Sequence, residues 1–276
     1  DGDASALDLT IPAAARPAAI AALTRSGRMQ LVVTSTFREA EHLVQTLADW
    51  LGDDAVAYYP AWETLPHERL SPRSDTVGRR LAVLRRIVGA DGITPPQVVV
   101  APVRPVLQPQ AQGLAELRPV TVAVGDERDI NDLSAELVAA AYTRVDLVER
   151  RGEFAVRGGI VDVFPPTEEH PVRIDFFGDE VEEIRSFTIA DQRSTHVTHD
   201  VVVAPPCREL LLTDAVRARA KALIPDHPEL IDLLDRISEG HAAEGMEALT
   251  PVLVDGLELL VEVLPAHAAP PLPFTL

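Results

Sequence analysis

The first part of the chain alternates short apolar runs with segments of helical periodicity. Strands are expected at residues 7–11, 31–34, 55–58 and 98–101, and helices at residues 17–24, 36–51 and 75–88. The strands are rich in β-branched residues and apolar at successive positions, which is typical of strands buried on both faces. The pattern therefore predicts a parallel sheet covered by helices on both sides.

The rhythm changes near Pro119. After a strand at 120–124 and a helix at 130–142, strand-like segments follow one another at 144–148, 153–156, 160–164, 172–177 and 181–189. Glycine and proline separate them, as in turns between antiparallel strands. Polar and apolar residues alternate in Arg173-Ile174-Asp175-Phe176, which indicates a sheet with one face in water.

Helical periods return after a strand at 201–203. Helices are expected at 213–223 and 228–237, and a last strand at 257–263. The sequence therefore predicts an α/β domain at residues 1–118, a small α+β insertion with an antiparallel sheet at 119–200, and a closing segment at 201–276 that completes the α/β body.

Charge narrows the functional classes. The 276 residues carry a net charge of −18, and Lys221 is the sole lysine. No glycine lies near Lys221, so a phosphate loop ending in glycine and lysine is excluded. The negative charge argues against general binding to DNA or to anionic membranes. With a single cysteine, Cys207, and no apolar run long enough to span a bilayer, we expect a soluble, cytoplasmic protein.

The turn predicted after the first strand is where a mononucleotide fold would hold phosphate. It consists of Pro12, Ala13, Ala14, Ala15 and Arg16, without glycine, lysine or hydroxyl. We therefore expect no ATP there and no cofactor in this chain. No histidine, cysteine or carboxylate spacing predicts a metal site, and no nucleophile motif predicts catalysis.

The helix at 75–88 and the loop before it could contact nucleic acid. The helix is expected to turn an apolar stripe inward, formed by Val77, Leu81, Leu84 and Val88. Its arginines are expected to face outward: Arg79, Arg80, Arg85 and Arg86. The loop at 58–68 gathers scarce aromatics around Trp62, which could stack bases or anchor two elements. We favour packing for the loop.

Residues 144–193 concentrate arginines in an otherwise acidic chain, interleaved with carboxylates. On alternating strands, Arg157 and Arg173 are expected to share a solvated face near Phe176 or Phe177. Arginine beside an aromatic ring is typical of protein interfaces. The alternative is a solvated face with incidental ion pairs of little energetic value. The residues alone do not separate the two.

Several segments together resemble the N-terminal UvrB-like module of the bacterial transcription-repair coupling factors, the Mfd family, in an actinobacterial style. The segments are 58–72, 75–81, 151–166, 170–180 and 190–194, including Arg151-Gly152-Glu153-Phe154 and His170-Pro171-Val172-Arg173. Single motifs are shared with the excinuclease subunit UvrB. The missing phosphate loop, and a short segment at 62–65 in place of a long hairpin, differ from UvrB.

This resemblance implies a helicase-like α/β domain with a degenerate phosphate loop, split by domain 2, the surface that binds UvrA. By likeness, Arg157 and Arg173 match positions that contact UvrA. Arg144, Phe176 and Glu180 are added as neighbours.

The resemblance also implies a non-catalytic recruitment module of nucleotide excision repair. RNA polymerase, DNA and an ATP-dependent translocase motor belong to other domains of the whole protein. The alternative is a fragment of an ATP-dependent, nucleic-acid-binding helicase-like enzyme.

Overall fold

A computed structural model describes residues 10–65, 68–266, 268 and 272–273. Helices form at Arg16–Leu23 (α1), Phe37–Leu51 (α2), Ser74–Ile87 (α3), Val103–Leu107 (α4), Ile130–Ala139 (α5), Asp214–Leu223 (α6), Ile231–Ser238 (α7), Thr250–Leu253 (α8) and Leu260–Val263 (α9). Strands form at Gln30–Thr34 (β1), Val56–Tyr58 (β2), Val98–Pro102 (β3), Gln110–Ala111 (β4), Val120–Ala123 (β5), Thr143–Arg144 (β6), Glu153–Arg157 (β7), Ile160–Val163 (β8), Val172–Phe177 (β9), Glu180–Phe187 (β10), Ser194–Thr198 (β11), Val201–Ala204 (β12), Leu257–Glu258 (β13) and Leu272–Pro273 (β14).

The first sheet is parallel, in the order β14-β1-β3-β2. Its central strand β3 is buried along its whole length. Val98 and Val100 pack against α1 and α2, whereas Val99 packs against α3. This confirms the prediction of a parallel sheet with helices on both faces. Because β14 pairs with β1, the sheet combines strands from before and after the antiparallel region.

The second sheet has six strands in the order β11-β10-β9-β8-β7-β6 and is antiparallel except for the β6–β7 pair. One face packs against α5 and the two-stranded ladder of β5 and β12, burying Phe154, Val161 and Ile174 together with Leu133 and Leu137. The other face carries the polar residues of the alternating pattern. The mixed α/β character with separate parallel and antiparallel sheets follows the sequence prediction.

Helix boundaries follow local hydrogen bonding. The Thr36 hydroxyl accepts from the Glu39 amide at 3.2 Å and begins α2. Helix α5 ends at Ala139, three residues before the predicted end, because Ala141 adopts a left-handed conformation with φ 65°. The Tyr142 amide then donates to the Leu137 carbonyl at 2.9 Å, which closes the helix.

The predicted orientation of α3 is wrong at three positions. Arg80 and Arg85 are buried, whereas Val88 is exposed. Arg79 and Arg86 do face outward. Arg80 and Arg85 border the apolar stripe of α3 and point toward loops that pack on the helix. Their guanidinium groups can be buried because carbonyl and carboxylate oxygens of those loops accept their hydrogen bonds.

Two predicted strands are largely absent from the described residues. At 144–148, only Arg144 is in a strand, because the following residues leave the edge of the sheet and cover it, burying Val148 beside Ala155 and Phe187. At 257–263, the strand stops after Glu258 and α9 begins, because the Glu262 carboxylate accepts from the Leu259 amide at 2.6 Å. The strand predicted at 7–11 lies mostly outside the described residues, and Thr10 and Ile11 are not in a strand.

The two sheet regions meet at the start of α3. A methyl group added at Gly78 would lie 2.5 Å from the Cβ of Pro166, so glycine permits close packing of the helix on the Pro165-Pro166 turn. The Ser74 hydroxyl donates to the Arg151 carbonyl at 3.0 Å beside it. A helical region of α6, α7 and α8 encloses its own core around Leu234, Ile237 and Leu253. Within the described residues, no helix has the length and apolar character needed to cross a membrane.

Candidate protein-binding site

The outer face of the antiparallel sheet carries a ladder of opposite charges. The register places Asp162 of β8 opposite Arg173 of β9, and Arg173 opposite Arg185 of β10. Directly paired residues project on the same side of a sheet, so these three side chains share the outer face. We call this surface, with Arg157 and Asp175, the charged face.

Asp162 is the centre of the charged face. Its carboxylate is only 1% exposed and receives the Arg173 guanidinium through Nε at 2.7 Å and Nη2 at 2.9 Å. The Arg157 guanidinium donates to the same carboxylate. Because a buried carboxylate needs compensation, two arginines from neighbouring strands are held around it.

Arg157 and Arg173 differ in exposure. Arg173 lies over the Phe187 ring at 4.9 Å and donates to the Gln192 carbonyl at 3.2 Å. Hydrogen bonding to Asp162 raises the pKa of Arg173, against the opposing effect of burial. Arg157 keeps 44% of its side chain exposed. Arg173 therefore fixes the carboxylate, and Arg157 presents a partly free guanidinium at a defined position.

Arg185 extends the ladder on β10. It donates to Asp175 at 2.8 Å and lies 3.3 Å from Glu183. The hydrogen bond to Asp175 raises the pKa of Arg185. The charged face is therefore mixed in sign, with arginines held by carboxylates rather than standing alone.

The aromatic residue of this face is Phe177, not Phe176. Phe176 pairs with Val181 and packs against the core on the opposite side of the sheet. Phe177 is four residues from Arg173, lies on the charged face and is 78% exposed. Of the two rings expected near the arginines, Phe177 is therefore on this face. The prediction of Phe176 as a neighbour of Arg157 and Arg173 is wrong, because its side chain projects from the opposite side of the sheet.

The remaining predicted residues lie at the margins. Glu180 is exposed and pairs with Phe177 at the β9–β10 turn. Arg144 is exposed on the edge strand β6, where a shallow concavity is lined by Arg144, Asp146, Val156 and Arg157. The structure thus brings Arg157 and Arg173 together through Asp162, and places Arg144 beside Arg157.

Two residues of the charged face were not expected as site residues from the sequence: Asp162 and Arg185. Asp162 had a usable signal, because it interrupts the apolar run of Ile160–Val163 at a position that faces two arginine-bearing strands. A lone carboxylate inside such a run indicates a buried partner for a cation.

The Trp62 loop is anchored by Arg80 of α3, away from the charged face. Arg80 is completely buried and donates through Nε to Glu209 at 2.5 Å and through Nη1 to the Pro60 carbonyl at 2.9 Å. Its guanidinium lies 4.3 Å from the Tyr59 ring. The Trp62 indole donates to the same Glu209 oxygen at 3.1 Å. This favours packing over base stacking, and it removes Arg80 from any basic surface.

The turn at which a mononucleotide fold would hold phosphate is a short helical entry to α1. Residues Ala13–Ala15 form one 3₁₀ turn after Pro12. The Arg16 guanidinium lies 3.4 Å from the Glu39 carboxylate on α2. Alanine side chains occupy the positions at which a phosphate-binding loop needs bare backbone.

Comparison with known proteins identifies a domain family and relatives for this chain. Residues 120–207 match the UvrB interaction domain family. The chain is 52% identical over 272 residues to a transcription-repair-coupling factor of Mycobacterium tuberculosis, covering 94% of this chain and 22% of that protein. It is 35% identical to the same-named protein of Myxococcus xanthus, with 91% and 22% covered, and 32% identical to that of Bacillus subtilis, with 68% and 16% covered. The chain spans about a fifth of the length of these relatives.

Proposed function

Because the chain is homologous to a segment of the transcription-repair-coupling factors and carries a UvrB interaction domain at residues 120–207, we propose that it is a recruitment module that binds UvrA through the charged face. In this proposal, UvrA docking brings the excision machinery to a stalled RNA polymerase. The polymerase contacts and the motor activity on DNA belong to the parts of the longer relatives that this chain does not span.

One observation carries the proposal. Arg157 is held in place by the buried Asp162 carboxylate and still exposes nearly half of its side chain, while Phe177 projects from the same face. A pre-oriented arginine loses little conformational freedom when it binds, and arginine with an aromatic residue is the composition of binding hot spots. The mixed charges around them favour a partner of complementary pattern.

We also propose that the parallel sheet with α1–α3 is a scaffold without ATPase activity. The alanine turn at Ala13–Ala15 and the burial of Arg80 and Arg85 support this, because they leave neither a phosphate cradle nor a four-arginine basic surface on α3. Equilibrium binding of labelled ATP in the presence of Mg²⁺ checks it. Micromolar, magnesium-dependent affinity would overturn this proposal and favour the helicase-like alternative.

A capture experiment with immobilised UvrA tests the recruitment proposal. The chain, an Arg157→Ala/Arg173→Ala double variant, a Phe177→Ser variant and an Arg79→Ala control are compared. We expect the chain and the control to be retained and the other two to be lost, since only the control lies off the charged face. Circular dichroism verifies folding, because the double variant leaves Asp162 without its two arginines. Phe177→Ser leaves the ion pairs intact. Capture of the folded double variant and of Phe177→Ser to the same extent as the unchanged chain would overturn the proposal.

A further inference from the structure

A second concave surface adjoins the charged face at Arg144. It is formed by the end of α5 and β6, by the segment that leads into α6, and by the loop after α7. We call it the α5–α7 groove. The side chains that matter for its chemistry are Val138, Arg144, Leu211, Arg217, Arg236 and Met246.

Part of the groove lining is apolar. Val138 is 55% exposed at the end of α5, although it is a large apolar residue. Met246 and Leu211 also line the groove; Met246 is buried and Leu211 is partly buried. An exposed apolar strip inside a concavity is the usual form of a site that receives an apolar side chain.

The charge of the groove opposes that of the chain. Four arginines line it, against one carboxylate, in a chain of net charge −18. Two of the arginines already have acidic partners: Arg208 pairs with Glu247 at 2.6 Å and Arg217 with Asp214 at 3.5 Å. Within the described part of the chain, Arg144 and Arg236 form no ion pair, and Arg236 donates only to the Ala242 carbonyl at 3.2 Å.

The backbone of the groove wall is held in an unfavourable conformation. Ala141 has φ 65°, which alanine rarely adopts, at a position where glycine is the common helix terminator. The bond from the Tyr142 amide to the Leu137 carbonyl and the buried Tyr142 hydroxyl, which donates to the Pro205 carbonyl at 2.9 Å, keep it there. Backbone strain beside a concavity is a feature of functional sites.

We propose that the α5–α7 groove binds an acidic protein segment that carries an apolar side chain. The carboxylates pair with Arg144 and Arg236, and the apolar side chain packs on Val138. Charge complementarity selects this occupant: the groove is basic within an acidic surface, so an acidic peptide gains attraction there and is repelled elsewhere. A nucleic acid would meet the same repulsion along its whole backbone and would leave the apolar part of the lining without a contact.

This inference goes beyond the proposed UvrA site. Arg144 adjoins both surfaces, so Arg236 is the residue that separates them: it lines the groove and lies on α7, outside the antiparallel sheet. If an Arg236 variant loses groove binding but still binds UvrA, the proposed function is unaffected. If Phe177→Ser loses UvrA binding but keeps groove binding, the groove inference is unaffected.

The two methionines allow a direct test. Labelling the methionine methyl groups with ¹³C gives two signals: Met246, in the wall of the groove, and Met29, in the core of the parallel sheet. The intact chain is titrated with a short synthetic peptide in which glutamate alternates with leucine. Two control peptides carry glutamine in place of glutamate, or serine in place of leucine.

We expect the acidic leucine peptide to shift the Met246 signal in a saturable manner and to leave Met29 unchanged. Arg236→Glu should weaken this binding about tenfold or more, the size of a lost charge-assisted bond, whereas the matched control Arg79→Glu on α3 should not. Any of three results would overturn the proposal: an unmoved Met246 signal, an equal response to a control peptide or to inorganic phosphate, or a response to protein concentration alone, which would indicate self-association.

Discussion

The cluster around Arg80 and the cluster around Asp162 use the same arginine–carboxylate chemistry with different results. In the first, Arg80 and Glu209 are both buried, and every contact of the guanidinium fixes one part of the fold to another. In the second, Asp162 is buried but Arg157 reaches solvent. The first cluster has no surface left to offer a partner. The second holds a cation in position and leaves part of it available.

The difference comes from the elements that carry the arginines. Arg80 projects from a helix face that is covered by the Trp62 loop and by the segment containing Glu209, so its desolvation is complete. Arg157 lies near the end of β7 on a sheet face that is covered only in part. An arginine on a half-covered sheet can both satisfy a buried carboxylate and face a partner.

Arg80→Ala should have the largest effect on stability. It leaves the Glu209 carboxylate buried without its cation, and we expect a loss of about 3–5 kcal/mol in the free energy of unfolding. Urea denaturation measures it. The exposed neighbour Arg79→Ala is the control and should change stability by less than about 0.5 kcal/mol.

A double variant separates the effect of charge from the effect of packing in the Arg80–Glu209 cluster. Arg80→Met combined with Glu209→Gln removes both charges and should recover much of the lost stability. If Arg80→Ala costs less than about 1 kcal/mol, Glu209 is not paired as described and the contrast between the two clusters fails.

Gly78→Ala tests whether the two regions are packed as closely as the structure has them. The new methyl group would meet Pro166, a rigid ring on the turn of the antiparallel region, and overpacking of this kind costs about 1–3 kcal/mol. Thermal unfolding followed by circular dichroism measures the loss. A gain in stability, as expected from helix propensity alone, would show that α3 and the turn are not in contact.

Salt concentration should also distinguish the two clusters, and we expect its effect to be smaller than those of the substitutions. Raising NaCl from about 0.1 M to about 1 M shortens the screening length from about 10 Å to about 3 Å. Binding of UvrA should weaken, because Arg157 is exposed, whereas the stability difference between the chain and Arg80→Ala should change by less than about 0.5 kcal/mol, since buried pairs are screened far less. UvrA affinity that does not depend on salt would argue that Arg157 makes no ionic contact.

Much of the fold could be predicted from the sequence, because burial on both faces produces the continuous apolar runs of β1 and β3, and a half-covered sheet produces the alternation of β9. The prediction of a strand at 144–148 was wrong because the same alternating pattern also suits a segment that crosses the edge of a sheet and buries Val148. Periodicity describes which side is buried, not what buries it.

The site could be predicted only in part. Likeness to a known family pointed to Arg157 and Arg173, but the carboxylate that joins them depends on strand register, which the sequence does not display. The expectation for Phe176 failed for a different reason. Arg173 and Phe177 are four residues apart on the same strand and so share a face, which the two-residue period of β9 already favours over Phe176. Arg80 was misplaced because a charged residue on a helix is normally exposed, and only the tertiary position of Glu209 makes its burial possible.

The affinity of UvrA for Arg157→Ala, measured beside Arg79→Ala by isothermal titration, tests the central claim most directly. Both changes remove one exposed guanidinium and the same charge, but only Arg157 lies on the charged face, and Arg173 still compensates Asp162 in its absence. We predict that Arg157→Ala weakens binding by about 2 kcal/mol, roughly thirtyfold, while Arg79→Ala binds as the unchanged chain does. Equal affinity of the two folded variants would contradict the account.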